Sequence, residues 1–483
     1  MLQQAEERAV ITEKLKEIVG KEWVSDHPEE LLVYSYDMTE NPAHQPDFVV
    51  MPKTVEEISA IVKLANENKI PIVPFVTGSN VGGLTIPLKG GIIVDLKRMD
   101  KIIRFDQDDM YVIAEPGVTF GHINKFLKDT QFRYCYPNAP PFTSIMANAL
   151  LGGLNNLSLK YGNMAEIING IEAVLPTGEI VKIGSCACWD EHWWGRSSMP
   201  DLIGLFVNWQ GMTGIVTKIG LQVWPNHPFR DWKFVLSNDF DSTYHFVKKL
   251  ANCEIMNDIL LLSTETVKMV LGVPIGQAVW LEGEPRWATV LDFAANTQKE
   301  FNAKLEIVED AFKEVKKVDT KAAICSVTAA EKMYGPRVGD FKRLPFTIGG
   351  MLEYGGHTWV GTYMTSNPKI VSKGVDKAFE VIGKHKFEKC LYTRMMKGGH
   401  YWAFRFLLRF SKETPEETER MQKLTKELFE SLFELGAMPY KTPAWAADFI
   451  IKRCDPQYVE LMHKIKKTLD PNGIFNPGRW GND

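Results

Sequence analysis

Apolar and polar positions alternate with two different periods along the first half of this chain. PDFVV (Pro46–Val50) and PIVPFV (Pro71–Val76) are short apolar runs of strand character. Between them Ile58, Ile61, Val62 and Ala65 recur at helical spacing, which predicts one apolar helix face. Thr54, with Glu57 three residues on, predicts the helix start as a capping box. Strands and helices continue to alternate to about Val223, where Trp224-Pro225-Asn226-His227-Pro228 marks a boundary. Beyond Phe229 the texture changes. Strand-like runs at Trp232–Leu236, Trp359–Met364 and Tyr401–Phe410 alternate with charged helical stretches such as ETVKMVL and TPEETERMQKLTKELFESLFELG. That pattern predicts an α+β cap over an antiparallel sheet. The expected organisation is a helical lead segment at 1–45, a first domain at 46–228, a cap at 229–438 and a C-terminal segment at 439–483 that holds a last helix closed by Pro471.

Composition narrows the class. A chain of 483 residues with 45% hydrophobic and 24% charged positions is long enough for two globular units and ordinary for an enzyme. A formal net charge of −4 gives no reason to expect nucleic acid as a partner. The leading MLQQAEERAVITEKLKEIVG lacks the apolar centre of a signal peptide, and Glu265 and Lys268 break the longest apolar run, so no membrane span is expected. Seven cysteines do not read as a disulfide framework. The Cys186/Cys188 pair falls short of the four ligands of a structural metal site, so no metal is expected. A reducing, cytoplasmic setting follows as the expectation, with a small-molecule substrate, an electron-accepting protein and a second copy of the chain as the partners left open.

The chemistry sits in three glycine-rich segments. No G-x-G-x-x-G follows a strand and no G-x-x-x-x-G-K-[ST] occurs, so neither the dinucleotide fingerprint nor the P-loop is met. Thr77-Gly78-Ser79-Asn80-Val81-Gly82-Gly83 lies between two strand-like runs, where backbone N–H groups can close on an anion. AEPGVT, with Pro116 and Gly117, follows. So does LGGLNNLSLKYGN, with Gly152, Gly153, Asn155, Asn156 and Ser158 as candidate cofactor contacts. Together with YGNMAEIINGIEAVLPTGEIV, DLIGLFVNWQGMTGIVTKIGLQVWP and the closing LDPNGIFNPGRWG, these segments resemble the FAD-binding domain of the vanillyl-alcohol oxidase and p-cresol methylhydroxylase family, from Pro46 nearly to the end of the chain. The resemblance implies FAD extended between two α/β subdomains with a cap over its ring. It assigns the pyrophosphate to the first loop and backbone contacts to Gly214, Ile215 and Val216. Tyr161 and Gly162 join the cofactor contacts, and Asn476 and Arg479 return from the cap. His357 falls where covalent members attach the flavin.

The same resemblance implies hydride transfer from a substrate C–H bond to flavin N5. LGAMPYKTP matches the family's G-x-x-x-Y-R-T stretch, so Tyr440 and Lys441 stand where a tyrosine and an arginine grip a phenolate. Lysine offers a point charge in place of a planar fork. The loop tyrosine of the family is absent, and Asn163 stands where its Y-G-D pattern has a carboxylate, and asparagine cannot serve as a base. His400 opens a strand matched by a family strand that also begins with histidine, and is a candidate base. Arg405 interrupts an apolar strand and needs a partner, either a substrate carboxylate or a cap glutamate. Trp193 and Trp194 are candidates for a channel wall, a partner surface or plain core. Three readings stay open: oxidation of a para-substituted phenol or benzylic alcohol, oxidation of a D-2-hydroxy acid, and a flavoprotein subunit that passes electrons to a partner protein.

Overall fold

The computed structural model describes residues 2–342, 344–345 and 355–481. Its first sheet has four strands in the order Val24–Ser25, Phe48–Val50, Ile92–Asp95, Ile72–Phe75. The last three pair in parallel, Phe48 and Ile72 both opposite Ile92. Helix Val55–Asn68 makes the crossover and buries Ile58, Ile61, Val62 and Ala65 completely against the sheet. Each such side chain contributes about 1.5–3 kcal/mol. Thr54 caps the helix by accepting from Glu57 N at 3.2 Å, but the Glu57 carboxylate reaches back to Lys53 N and not to Thr54 N, so only half of the expected capping box forms.

The second sheet corrects the expected alternation. Its five strands, Ile102–Asp106, Tyr111–Ala114, Ile215–Gln222, Ile168–Val174 and Ile180–Gly184, are antiparallel at every pairing. The apolar runs here are joined by hairpins or by excursions through short helices, so a parallel crossover is not required.

The cap is an α+β unit built on an eight-stranded sheet, every pairing of which is antiparallel. Strands Phe229–Ser237, Trp287–Ala295, Asp258–Ser263, Leu391–Met396, Tyr401–Ser411 and Gly355–Thr365 are consecutive in it. Helices Phe240–Asn252, Gln298–Val318, Pro368–Lys384 and Pro415–Phe433 cover one face and form with it the largest apolar core. Register fixes what occupies the other face, because directly opposed residues point the same way. Trp232 opposes Asp292, which opposes Asp258. Leu260 opposes Arg394, and Tyr392 opposes Arg405, which opposes Gly361. Part of this face is covered by the cap's own segments, with Phe234, Leu260, Leu262, Val290 and Leu407 packed against Met269, Val270, Val327 and Ala330, and the part that carries Arg394 and Tyr363 looks at the first domain. Arg394 Nη2 donates to Asn138 Oδ1 at 3.2 Å, and Tyr363 donates to Gly152 O at 3.1 Å.

The chain then returns. Ile474 and Asn476 bond along Ile72, at 2.7 and 2.8 Å, and extend the first sheet by one edge. Lys466, almost fully buried, holds this return by donating to Met212 O and Phe475 O at 2.9 and 2.8 Å and by pairing with Asp470.

Arg394 is the joint between cap and first domain. Besides Asn138 it grips both Asp258 oxygens at 2.7 Å, with both side chains buried. Burial pushes the Asp258 carboxyl up, and Arg394 holds it down. Replacing Arg394 with methionine leaves that carboxylate buried and alone and should cost about 3–5 kcal/mol. A chemical denaturation series checks this, with Arg394→Met/Asp258→Leu expected to recover most of the loss.

Candidate active site

A cleft of about 1030 Å³ separates the two sheets of the first domain. Its walls are the loop from Pro74 to Asn80, the segment from Thr143 to Leu151 and the stretch from Gln210 to Val216, with Lys441 closing one end. These walls are largely backbone and small side chains, and the loop geometry explains why. Gly78 has φ +62°, open to glycine at little cost. A Cβ at Gly82 would lie 2.6 Å from Lys441 O, and one at Gly153 would fall on the Asn148 side chain. Ser79 Oγ donates to Thr143 Oγ1 at 3.1 Å, which ties the first wall to the second. Asn148 lines the cleft, and its Oδ1, buried against Gly153, has no hydrogen-bond partner among the described residues. Walls of backbone and small side chains, with glycines where a Cβ would intrude, suit a cofactor held by backbone contacts.

The predicted cofactor contacts divide on this geometry. Thr77, Gly78, Ser79, Asn80, Pro116, Gly214, Ile215 and Val216 line the cleft. Several others build it from behind. The Asn80 amide is used by its own loop, donating to Thr85 Oγ1 and accepting from Gly82 N and Leu84 N, so its lining contribution is shape. Val81 is buried, and Gly117 sits against the carbonyls of Lys97 and Met99. Asn156 Oδ1 accepts from Tyr136 N, and Ser158 Oγ accepts from Asn155 N. Tyr161 faces outward, stacked on Trp224 at 4.7 Å. Gly162 leaves room for the Glu166 carboxylate. Asn476 Nδ2 donates to Gln210 O at 2.6 Å, and Arg479 Nη2 donates to the carbonyls of Gly83 and Ile86 at 2.8 Å each, so both brace the loops.

The predicted catalytic residues divide likewise. Lys441 lines the cleft, its Nζ 6.0 Å from the Trp359 ring centre and 5.5 Å from that of Tyr440. Tyr440 is buried, and its hydroxyl accepts from Leu154 N at 3.3 Å, which leaves its own proton to donate. Arg405 lies under the cap sheet at 4% exposure, its guanidinium 4.5 Å from the Tyr392 ring centre and 5.2 Å from that of Trp359. Its Nε and Nη2 are buried with no hydrogen-bond partner among the described residues, so no described cap glutamate neutralises it. Asn163 instead caps the turn Met164–Ile167, its Oδ1 accepting from Ala165 N at 2.9 Å while Glu166 returns the bond. His400 sits exposed on the turn before its strand and is not among the residues that line the cleft. Trp193 is core, and Trp194 is half exposed. Sequence reasoning missed Asn148, Tyr363, Tyr392 and Arg394. For Arg394 the usable signal was the one that marked Arg405, a guanidinium inside an apolar strand, LYTRMM.

His357 is fully buried and is not a lining residue of the cleft. Its backbone N–H donates to Met38 O at 2.8 Å, its ring Nε2 accepts from the Trp359 indole, and its Nδ1 has no partner among the described residues. Burial, with Arg409 opposite, pulls its pKa down to about 3.

The class of protein this geometry defines is a flavoprotein oxidoreductase, its cofactor cleft built from backbone and its substrate side roofed by a separate cap. Residues 46–184 match the FAD binding domain and residues 229–480 match the C-terminal domain of FAD linked oxidases. The chain belongs to the FAD-linked oxidases, and it is an FAD-dependent oxidoreductase. The flavoprotein subunit of 4-cresol dehydrogenase [hydroxylating] from Pseudomonas putida is 26% identical over 98% of this chain and 95% of its own length. Glycolate oxidase subunit GlcD from Bacillus subtilis is 24% identical over 97% of this chain and 96% of its own. The fold is also that of p-cresol methylhydroxylase solved with substrate bound, at a TM-score of 0.85 and 23% identity over 98% of this chain and 97% of that one. Among the described residues no helix is long and apolar enough to cross a membrane.

The low pKa of His357 makes a signed prediction. An unfolded chain protonates this imidazole below its ordinary pKa of 6.5, and the folded chain does not until about 3. Its contribution to stability is therefore complete above pH 6.5 and is lost as the pH falls toward 3. The stability difference between the wild type and His357→Gln should shrink on acidification from pH 7 to 5, by at most about 1.4 kcal/mol per pH unit. Urea titrations of both proteins at each pH check it, and a constant difference would exclude the burial of a neutral imidazole.

Proposed function

We propose that this enzyme oxidises a small alcohol that carries a carboxylate, held by Arg405 beneath the cap and by Lys441 at the end of the cofactor cleft. The observation that carries the reading is the buried, unpaired guanidinium. Desolvating a charge without a partner is costly, and the faces of Tyr392 and Trp359 return only part of that cost. A carboxylate would accept from both free nitrogens in the bidentate geometry that guanidinium favours. FAD, when bound, supplies the hydride acceptor. The protein's part is to orient and to exclude water. Arg405 would set the angle of the substrate, while Tyr363, Tyr392 and Trp359 exclude solvent around it. Tyr440, its oxygen already accepting from Leu154 N, would donate to the oxygen on the reacting carbon. Among the described residues, no histidine, aspartate or glutamate lines the cleft or the adjoining cavity that contains Tyr363 and Tyr440. The role of base therefore does not pass to His400 on its exposed turn.

A second reading has its own observation. Tyr440 and Lys441 together form an anion-stabilising pair, and Trp359, Tyr363 and Tyr401 wall it with rings, an environment that suits a phenolate. The Pseudomonas relative, a 4-cresol dehydrogenase, supports this version, and its being a flavoprotein subunit supports a protein electron acceptor. The glycolate oxidase relative supports the carboxylate version.

Anaerobic mixing of the holoprotein with D-lactate, glycolate, D-mandelate and 4-hydroxybenzyl alcohol separates the two readings. Bleaching of the visible flavin band by the hydroxy acids, with Arg405→Met raising the KM roughly 10–100-fold, is the expected outcome. Bleaching by 4-hydroxybenzyl alcohol alone, sensitive to Lys441→Met but not to Arg405→Met, would establish the phenol version. Because His357 is walled from the cleft, the reading also holds the cofactor to be noncovalent. Acid precipitation should leave the yellow colour in the supernatant, and a yellow pellet would reinstate His357 as an attachment point.

A further inference from the structure

A second opening lies at the seam between the first domain and the cap, a polar cavity of about 730 Å³. Lys128, Arg133 and Asn156 line it from the first domain, and Arg230 and Lys342 line it from the cap. No carboxylate is among its described lining residues, and it shares none of them with the cofactor cleft or with the cavity that contains Tyr440.

Three of these cations are held in place, which separates them from ordinary surface charges. Arg230 takes both oxygens of Asp292, and its guanidinium lies 4.4 Å from the centre of the Trp232 ring. Lys342 Nζ reaches the same ring at 5.7 Å. Arg133 donates from Nε to Pro225 O at 3.2 Å, which fixes the plane of its fork. Asp292 offsets Arg230 alone, and Arg133, Lys128 and Lys342 pair with no acid among the described residues. The crowding of positive charge is felt locally. Burial lowers the pKa of Arg133, and Arg230 lowers it further. Lys160 is pushed down to about 8, by burial first and then by Arg133 and Lys304.

The geometry also selects among anions. A carboxylate is planar and is served by a single guanidinium fork, whereas a phosphate presents three acceptor oxygens and takes donors from several sides. Here donors come from both walls of the cavity. Arg133 and Arg230 are half-buried, while Lys128 and Lys342 are exposed. A small anion that enters the cavity reaches all four, and a flat protein surface would meet only the lysines.

We infer that the seam cavity binds a phosphate, free or as the head of a phosphate ester, gripped by Arg133 from the first domain and by Arg230 and Lys342 from the cap. An anion so placed ties the cap to the first domain, as Arg394 does through Asn138. It therefore stabilises the docked arrangement of the two. The site stands apart from Arg405 and does not depend on which alcohol the enzyme oxidises.

The test uses holoenzyme, in which bound FAD closes the cofactor cleft to the probe, and titrates inorganic phosphate and phenyl phosphate by calorimetry at low ionic strength. Both should bind saturably and raise the Tm, and the tighter of the two tells the free ion from an ester. Arg133→Gln should weaken both roughly tenfold or more. Lys342→Gln, at an exposed position where folding is not at risk, should weaken both roughly threefold. Lys464→Gln, an exposed change outside the cavity, should leave the affinity as it was. Failure of both probes to bind the wild type overturns the site, and so does equal affinity in wild type, Arg133→Gln and Lys342→Gln. Binding that is lost in Arg405→Met and kept in Arg133→Gln puts the anion beneath the cap sheet and overturns the seam site as well.

Discussion

Everything on the substrate side depends on the two-faced character of one sheet. The eight cap strands have one face sealed by four helices, and a charge on the other must be satisfied by the cap itself, as Arg409 is by Glu388, by the first domain or by a ligand. Arg394 shows the first solution, paired with Asp258 and tied to Asn138 of the other domain. Arg405 has the same residue type on the neighbouring strand, equally buried, and has no carboxylate partner among the described residues. A fold that satisfies one guanidinium and leaves the next unpaired maintains an unfavourable charge, and such arrangements concentrate where a ligand relieves them.

The cofactor side follows a different logic. Its walls present backbone, so the residues that matter most there are the ones that keep side chains out. Gly82 admits the Lys441 carbonyl, and Gly153 admits the Asn148 side chain. Lys441 itself has φ +56°, a left-handed conformation that costs a non-glycine residue on the order of 1 kcal/mol. That close approach puts a segment from beyond the cap at the end of the cofactor cleft, so the charge at Lys441 and the loop at Gly82 hold each other in place. The tie between Lys466, Asp470 and the Phe475 carbonyl anchors the rest of the same return.

Charge is distributed against the average. The chain is acidic overall, with a net −4, while the seam between cap and first domain gathers Lys128, Arg133, Arg230 and Lys342, with Asp292 on Arg230, and deeper in, Arg394 is paired with Asp258. Net charge bears on solubility and says little about the field inside a cleft.

Local chain chemistry by itself determined a good deal. The periodicity of Ile58, Ile61, Val62 and Ala65, the Thr54 cap, the cap strands and the glycine loop are set by neighbours within a few residues, and they were legible as such. So was the oddity of Arg405, because a charge in an apolar strand is visible without knowing its surroundings. The antiparallel order of the second sheet was not legible, because strand runs look alike whichever way they pair. Nor were the duties of Asn80, Asn156, Ser158 and Asn163. Their side chains turn to nearby backbone N–H groups, and which of several polar partners an amide or hydroxyl takes depends on the folded loop. His357 and His400 went opposite ways, one sealed behind Trp359 and Met38 and one left in solvent, for reasons hundreds of residues apart in the chain. Sequence spells out where backbone can approach a cofactor; only the packing of cap on first domain decides which charges are left without a partner, because that depends on groups that meet across the fold.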